Sequence, residues 1–273
     1  MAARGSGPSP GVYPIDSGVA ELSPSDGGWL VTINGAESSH VAPDEPGRLD
    51  FEYMRQMMML LEHHRPPDTT APGPRALHLG AAACALPRYI HHRYYGARQV
   101  AVEIDAALAT YAREWFDLPR APALRIRVGD ARDVVEQLTP HTRDVVIRDA
   151  FRGDRAPAHL TTVEFTRAVA RVLDDDGVYL VNCADDRRLG LARAEVATIG
   201  AVFGHLAVVA DAAMLKGRRT GNVVIAASRR PIEATAGLVR ELLSDPLPAQ
   251  ILDDGKARDF ARGAPVNTDA DLA

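Results

Sequence analysis

Lysine is almost missing from this 273-residue chain: of 31 Lys and Arg residues, only Lys216 and Lys256 are lysines. Against 36 Asp and Glu the formal net charge is −5, which removes the electrostatic reason to expect a nucleic-acid partner. Where nearly every base is an arginine, any single one is weak evidence for an anion site. Cysteine is scarce too. Cys84 and Cys183 are too few for a disulfide framework and fit a reducing compartment. No apolar run is long enough to span a bilayer, and the opening MAARGSGPSPG lacks the apolar stretch of a secretion signal. These absences predict a cytoplasmic globular protein with no membrane and no nucleic-acid partner.

What is present is organised in two styles. Residues 1–17 read as a disordered tail. From Gly18 to Val41, alternating apolar and polar positions are broken by Ser25-Asp-Gly-Gly28 and Asn34-Gly35. This is turn chemistry, and it predicts a small antiparallel meander. Phe51, Met54, Met58 and Leu61 recur at helical spacing, and the proline-rich stretch 65–74 closes an N-terminal piece, 18–74. From 75 to 230, strand and helix patterns alternate. Strands are expected at 76–79, 99–104, 124–128, 144–148, 177–183, 206–209 and 222–227. Thr161-Thr-Val-Glu164 reads as a capping box opening the fourth of the intervening helices. Strands alternating with helices imply an α/β, Rossmann-like, doubly wound and mostly parallel sheet of about seven strands. Residues 231–273 read as one helix and an irregular tail.

Ligands of doubly wound sheets sit beyond the carboxyl ends of the strands, so the residues just after each strand carry the chemistry. The first strand leads into Gly80-Ala-Ala-Ala-Cys84, small residues that let a nucleotide or nucleoside reach backbone amides at a helix start. A tight turn without a ligand explains them equally well. The second strand ends in Val102-Glu103-Ile104-Asp105, where an acid can accept both hydroxyls of a ribose. This suits NAD and adenosyl sulfonium ligands alike, and Asp105 fits a helix-start charge better than Glu103 does. Asp130, in Gly129-Asp130-Ala131, can accept from an adenine amino group or cap a helix. Asp149, after the fourth strand, can face a reacting group or cap. His63-His64 and His91-His92 are adjacent pairs, which cannot share a metal from one helix face, so no metal is expected.

Taken in order, the small-residue loop, Glu103, Asp130 and Asp149 resemble the spermidine synthase (polyamine aminopropyltransferase) family. Its glycine-rich loop is followed by V-E-I-D, G-D-A and a strand-four aspartate. Val102–Asp105 and Gly129–Ala131 match those motifs letter for letter. Asp50-Phe-Glu-Tyr53 looks like the family's D-E-x-x-Y segment, and Leu160–Phe165 like the stretch after its catalytic loop. The resemblance implies a methyltransferase-like class I fold. It places a nucleoside on Gly80, Ala81, Ala83, Glu103, Ile104, Asp130 and Ala131, and makes Asp149 and Tyr53 catalytic. It implies decarboxylated S-adenosylmethionine or S-adenosylmethionine as co-substrate, an amine acceptor, and a homodimer formed through the meander, where Leu22, Trp29 and Ile33 look exposed. The family's loop aspartate, however, falls on Ala83, its D-S-S-D becomes Asp149-Ala-Phe-Arg152, and Met54 stands where it has a histidine. These departures leave room for methyl transfer, with Arg88 pairing a methionine carboxylate, or for a non-catalytic binding homologue. An NAD oxidoreductase is disfavoured because G-x-G-x-x-G spacing is missing.

Overall fold

The computed structural model describes residues 7–272. In chain order these form β1 (Gly11–Ile15), β2 (Gly18–Ser25), β3 (Gly28–Ile33), β4 (Ala36–Val41), α1 (Glu52–His64), β5 (Arg75–Leu79), α2 (Ala85–Arg93), β6 (Arg98–Glu103), α3 (Ala106–Trp115), β7 (Leu124–Val128) and α4 (Ala131–Gln137). There follow β8 (Arg143–Arg148), α5 (Val163–Val172), β9 (Leu173–Asp185), α6 (Gly190–Gly200), β10 (His205–Asp211), α7 (Ala212–Leu215), β11 (Gly221–Ser228), α8 (Ala236–Ser244), β12 (Ala249–Leu252) and α9 (Asp254–Phe260). The fold is α/β, with a four-stranded antiparallel sheet and a mostly parallel sheet of eight strands, one more than the sequence suggested. No helix among the described residues is long and apolar enough to cross a membrane. The chain divides into two compact units, residues 1–51 with 67–131 and residues 52–66 with 132–273.

In the first unit, β1 to β4 pair in sequence order. Asp26-Gly27 and Asn34-Gly35 make the two-residue loops of β2–β3 and β3–β4, all four at positive φ. That is the type I′ geometry which matches strand twist. The sheet begins earlier than expected, because Gly11–Ile15 pairs with β2 in what the sequence suggested was tail. Tyr13 is the reason: its ring packs edge-on against Trp115 of α3, with centroids 4.9 Å apart, and burial of aromatic area offsets the cost of ordering the segment. Residues 1–6 lie outside the described residues. Leu22 is buried and Trp29 and Ile33 are half-buried, so they expose less apolar surface than expected. The same unit holds β5, β6 and β7, paired in parallel.

In the second unit the strand order is β12-β10-β11-β9-β8. β8 and β9 are parallel, and the remaining pairs are antiparallel. Fully buried apolar runs in β9, β10 and β11 mark strands covered on both faces. The helix after β8 is capped one residue later than the sequence predicts. Thr162, not Thr161, accepts from Phe165 N, and Glu164 takes the backbone N–H of Asp269 at 2.9 Å in place of its own cap. The tail expected to be irregular contains β12 and α9, and its end is strapped down: Asp269 receives a bidentate pair from Arg132 at 2.7 and 2.6 Å.

Candidate active site

Glu103 ends β6 and is the organising group of the first unit's cluster. Its Oε2 accepts from Ala81 N at 3.2 Å and Ala82 N at 3.0 Å, and its Oε1 from Asp105 N at 3.1 Å. The loop amides expected to be free for a ligand are therefore turned onto Glu103. Gly80, Ala82 and Cys84 all have φ between +42 and +88. For the two non-glycine residues that is a sparsely populated conformation, held by the surrounding hydrogen bonds. A carboxylate offers about four acceptor positions, and with three taken by backbone N–H groups Glu103 keeps room on Oε1 for one hydroxyl donor. Beside it, Gly129 N donates to Glu103 O at 2.9 Å, and Glu103 pairs in register with Val128. That places Asp130, half-buried, and Ala131, the first residue of α4, at the neighbouring strand end. Ile104 and Val128 stand 58% and 51% exposed at these same ends, apolar surface suited to a flat ring.

Other residues of this unit have structural work. Asp105 is buried and caps α3 while accepting from Ser17 N and Oγ at 2.7 and 2.8 Å, so it is not a solvated charge. Ala83 is wholly buried. Arg88, suggested as a carboxylate partner, instead donates to Ala42 O and Pro43 O at 3.2 and 3.0 Å, its charge spent on β4's exit. Cys84 is buried, and desolvation pushes its thiol up to about 12, the property of a packing group and not of a nucleophile. Asp50, from the D-F-E-Y segment, holds Arg48 and His40.

The second unit builds its own cluster around Asp149, just past β8. Tyr53 Oη, on the first turn of α1, donates to Asp149 Oδ2 at 3.1 Å. Asn182 Nδ2, from β9, donates to Oδ1 at 2.9 Å. Burial raises the Asp149 pKa above the usual carboxylate range, and the two donors only partly offset it. Burial and then the Asp149 charge push the Tyr53 hydroxyl well above its ordinary value, so it stays a proton donor. Asn182 is a residue sequence reasoning missed. It is 2% exposed, and its Oδ1 is buried with no hydrogen-bond partner among the described residues, an acceptor left for an incoming N–H or O–H. Glu52, which accepts from Asn222 Nδ2 at 3.4 Å, adds a second acid to the same end of α1. A raised carboxylate with an orphaned acceptor beside it can take a proton from an amine.

No family model matches the chain. Among solved structures, that of a probable spermidine synthase from Corynebacterium glutamicum is 41% identical, covers 96% of this chain and 97% of its own, and superposes with a TM-score of 0.90. That settles the family. The chain belongs to the spermidine synthase-like family of transferases, as a divergent member. The polyamine aminopropyltransferase of Vibrio vulnificus is 28% identical over 160 residues, which is 58% of this chain and 51% of that enzyme. The chain thus spans about half the length of that curated relative. Human methyltransferase-like protein 13, solved in complex with SAH, shares the fold with a TM-score of 0.57 at 21% identity, over 82% of this chain and all of that one. The likeness extends the sheet architecture across both kinds of transferase.

Proposed function

We propose that this spermidine synthase-like protein transfers an alkyl group from an adenosyl sulfonium nucleoside to an amine. The observation that carries the reading is the Asp149 cluster: a carboxylate of raised pKa, oriented by Tyr53 and Asn182, with the orphaned Asn182 Oδ1 beside it. The nucleoside belongs to the first cluster. Glu103 takes a ribose hydroxyl, Ile104 supports the adenine, Asp130 accepts from its amino group, and Gly80, Ala81 and Ala131 shape the walls, with the buried Ala83 packed behind them. The co-substrate supplies a carbon activated by its sulfonium. The chain's part is to hold the amine on Asp149 and Asn182 and to take its proton on Asp149, with Tyr53 keeping the carboxylate aimed. The amine's lone pair forms the new N–C bond while the C–S bond breaks, its electron pair staying on sulfur.

Decarboxylated S-adenosylmethionine and S-adenosylmethionine are the two candidates for the co-substrate. The family resemblance favours aminopropyl transfer. Methyl transfer is the second reading, favoured by the absence of an acid at Ala83, which removes a reason to prefer the decarboxylated ligand. Product analysis decides between them: methylthioadenosine marks the first and S-adenosylhomocysteine the second, and release of neither with any amine would overturn the transferase reading. A homodimer and a cytoplasmic location complete the proposal.

A further inference from the structure

Three residues beyond Asp149 the chain makes a small turn unlike anything a polycation would seek. Phe151 to Arg155 are all exposed. Arg152 and Arg155 oppose one another as an antiparallel bridge, with Arg152 N donating to Arg155 O at 2.8 Å. Gly153 and Asp154 form the two-residue loop, with Gly153 at φ +66, the conformation glycine supplies at the first position of such loops. Directly opposed residues of an antiparallel pair project to the same side, so the turn sends both arginine side chains out from one side. Neither has a hydrogen-bond or ion-pair partner among the described residues, and Asp154 at the tip pairs with neither. The arginines nearby in sequence are committed: Arg148 to buried Glu195 and to Leu160 O, Arg132 to Asp269 and Glu136. Like charges placed opposite each other are destabilising, and a bound anion would relieve that repulsion.

The geometry points to an acceptor that carries an oxyanion, a carboxylate or a phosphate, in addition to its amine. The planar guanidiniums of Arg152 and Arg155 match the two oxygens of such a group, while the amine meets Asp149 and the orphaned Asn182 Oδ1. This rests on the alkyl-transfer reading, and it narrows the acceptor from a polyamine to an amine that is zwitterionic or anionic overall. In the reaction the amine proton goes to Asp149, the N–C bond forms, and the sulfonium leaves as a neutral thioether, so the oxyanion takes no part in bond making.

The test is calorimetry on the full chain at fixed low salt, with three probes: 1,4-diaminobutane, 4-aminobutanoate and O-phosphoethanolamine. A separate titration uses methylthioadenosine and S-adenosylhomocysteine. At least one anionic probe is expected to bind roughly tenfold or more tightly than the diamine, the scale of a pair of partly screened charge contacts. The stronger of the two tells carboxylate from phosphate. R152A/R155A should lose that preference with its melting temperature no lower than the parent's, since both side chains are solvent-exposed and their repulsion is removed, and its nucleoside affinity should stay at the parent value. A diamine that binds as tightly as both anionic probes, or a double variant that binds them like the parent, overturns the inference. Failure of the nucleosides to bind overturns the functional reading instead, so the two fail separately.

Discussion

Replacing Asp149 by asparagine should separate chemistry from structure cleanly, because the surroundings tolerate the swap. Asp149 Oδ1 accepts from Asn182 Nδ2 at 2.9 Å and Oδ2 from Tyr53 Oη at 3.1 Å. In Asp149→Asn the amide oxygen keeps the first contact. The new NH2 meets a tyrosine hydroxyl, which can turn to accept as readily as it donates. Both hydrogen bonds survive and a desolvated charge disappears, so stability should stay within about 1 kcal/mol of the parent. Asp149→Ala, by contrast, strands the Asn182 amide and should cost about 1–3 kcal/mol. Turnover in the asparagine variant should fall by roughly 10²- to 10⁴-fold for loss of a general base, which is about 3–5 kcal/mol on the barrier. The assay is the initial rate of thioether nucleoside release at saturating acceptor, with melting temperature and nucleoside calorimetry on the same preparations. A variant as fast as the parent, or one whose slower rate tracks a loss of folding, would refute the assignment of Asp149 as base.

Four further outcomes are expected. Burial raises the Asp149 pKa, so its base form is lost as pH falls through that raised value. The parent rate should drop on acidification at a pH above the ordinary carboxylate range, and a pH-independent rate from 4 to 8 would contradict it. Glu103→Gln should weaken nucleoside binding roughly ten- to hundredfold through lost charge-assisted hydrogen bonds, and should also lower the melting temperature, because Ala81 and Ala82 N–H both rely on that carboxylate; unchanged affinity would remove Glu103 from the ribose site. Cys84, buried with its thiol pushed up to about 12, should resist alkylation in the native protein and react only after denaturation, as read by mass spectrometry. The homodimer is checked by light scattering, where twice the chain mass of 29.4 kDa is expected at micromolar concentration and a single-chain mass would rule it out.

Sequence alone located β5 to β9 because their apolar runs are bounded by turn residues and alternate with helix-period segments. It could not see β12, four residues following a proline-containing segment, or α9, whose single buried residue is Ala257. β1 was lost in a glycine- and proline-rich opening because its anchor is a tertiary contact, Tyr13 against α3. Glu103 was legible as a strand-end acid, yet its hold on the loop amides was not, since that depends on the left-handed turn at Ala82 and Cys84. Asn182 carries no local signal within the apolar run of β9. It gains a role because β9 pairs in parallel with β8 and so reaches the residue that follows β8. Arg88 lies about one helical turn beyond Ala83, but position in the sequence says nothing of the Ala42 and Pro43 carbonyls that claim it.

The central claim is that this chain binds an adenosyl sulfonium nucleoside, and titration calorimetry of the full chain tests it most directly. The ligands are S-adenosylmethionine, its decarboxylated form, methylthioadenosine and NAD. Saturable binding of at least one sulfonium and its thioether product is expected, with NAD much weaker, no hundredfold preference for the decarboxylated form, and loss of affinity in Glu103→Gln. Binding of NAD in preference to every adenosyl thioether, or no binding of any of them by a protein that melts cooperatively, would contradict it.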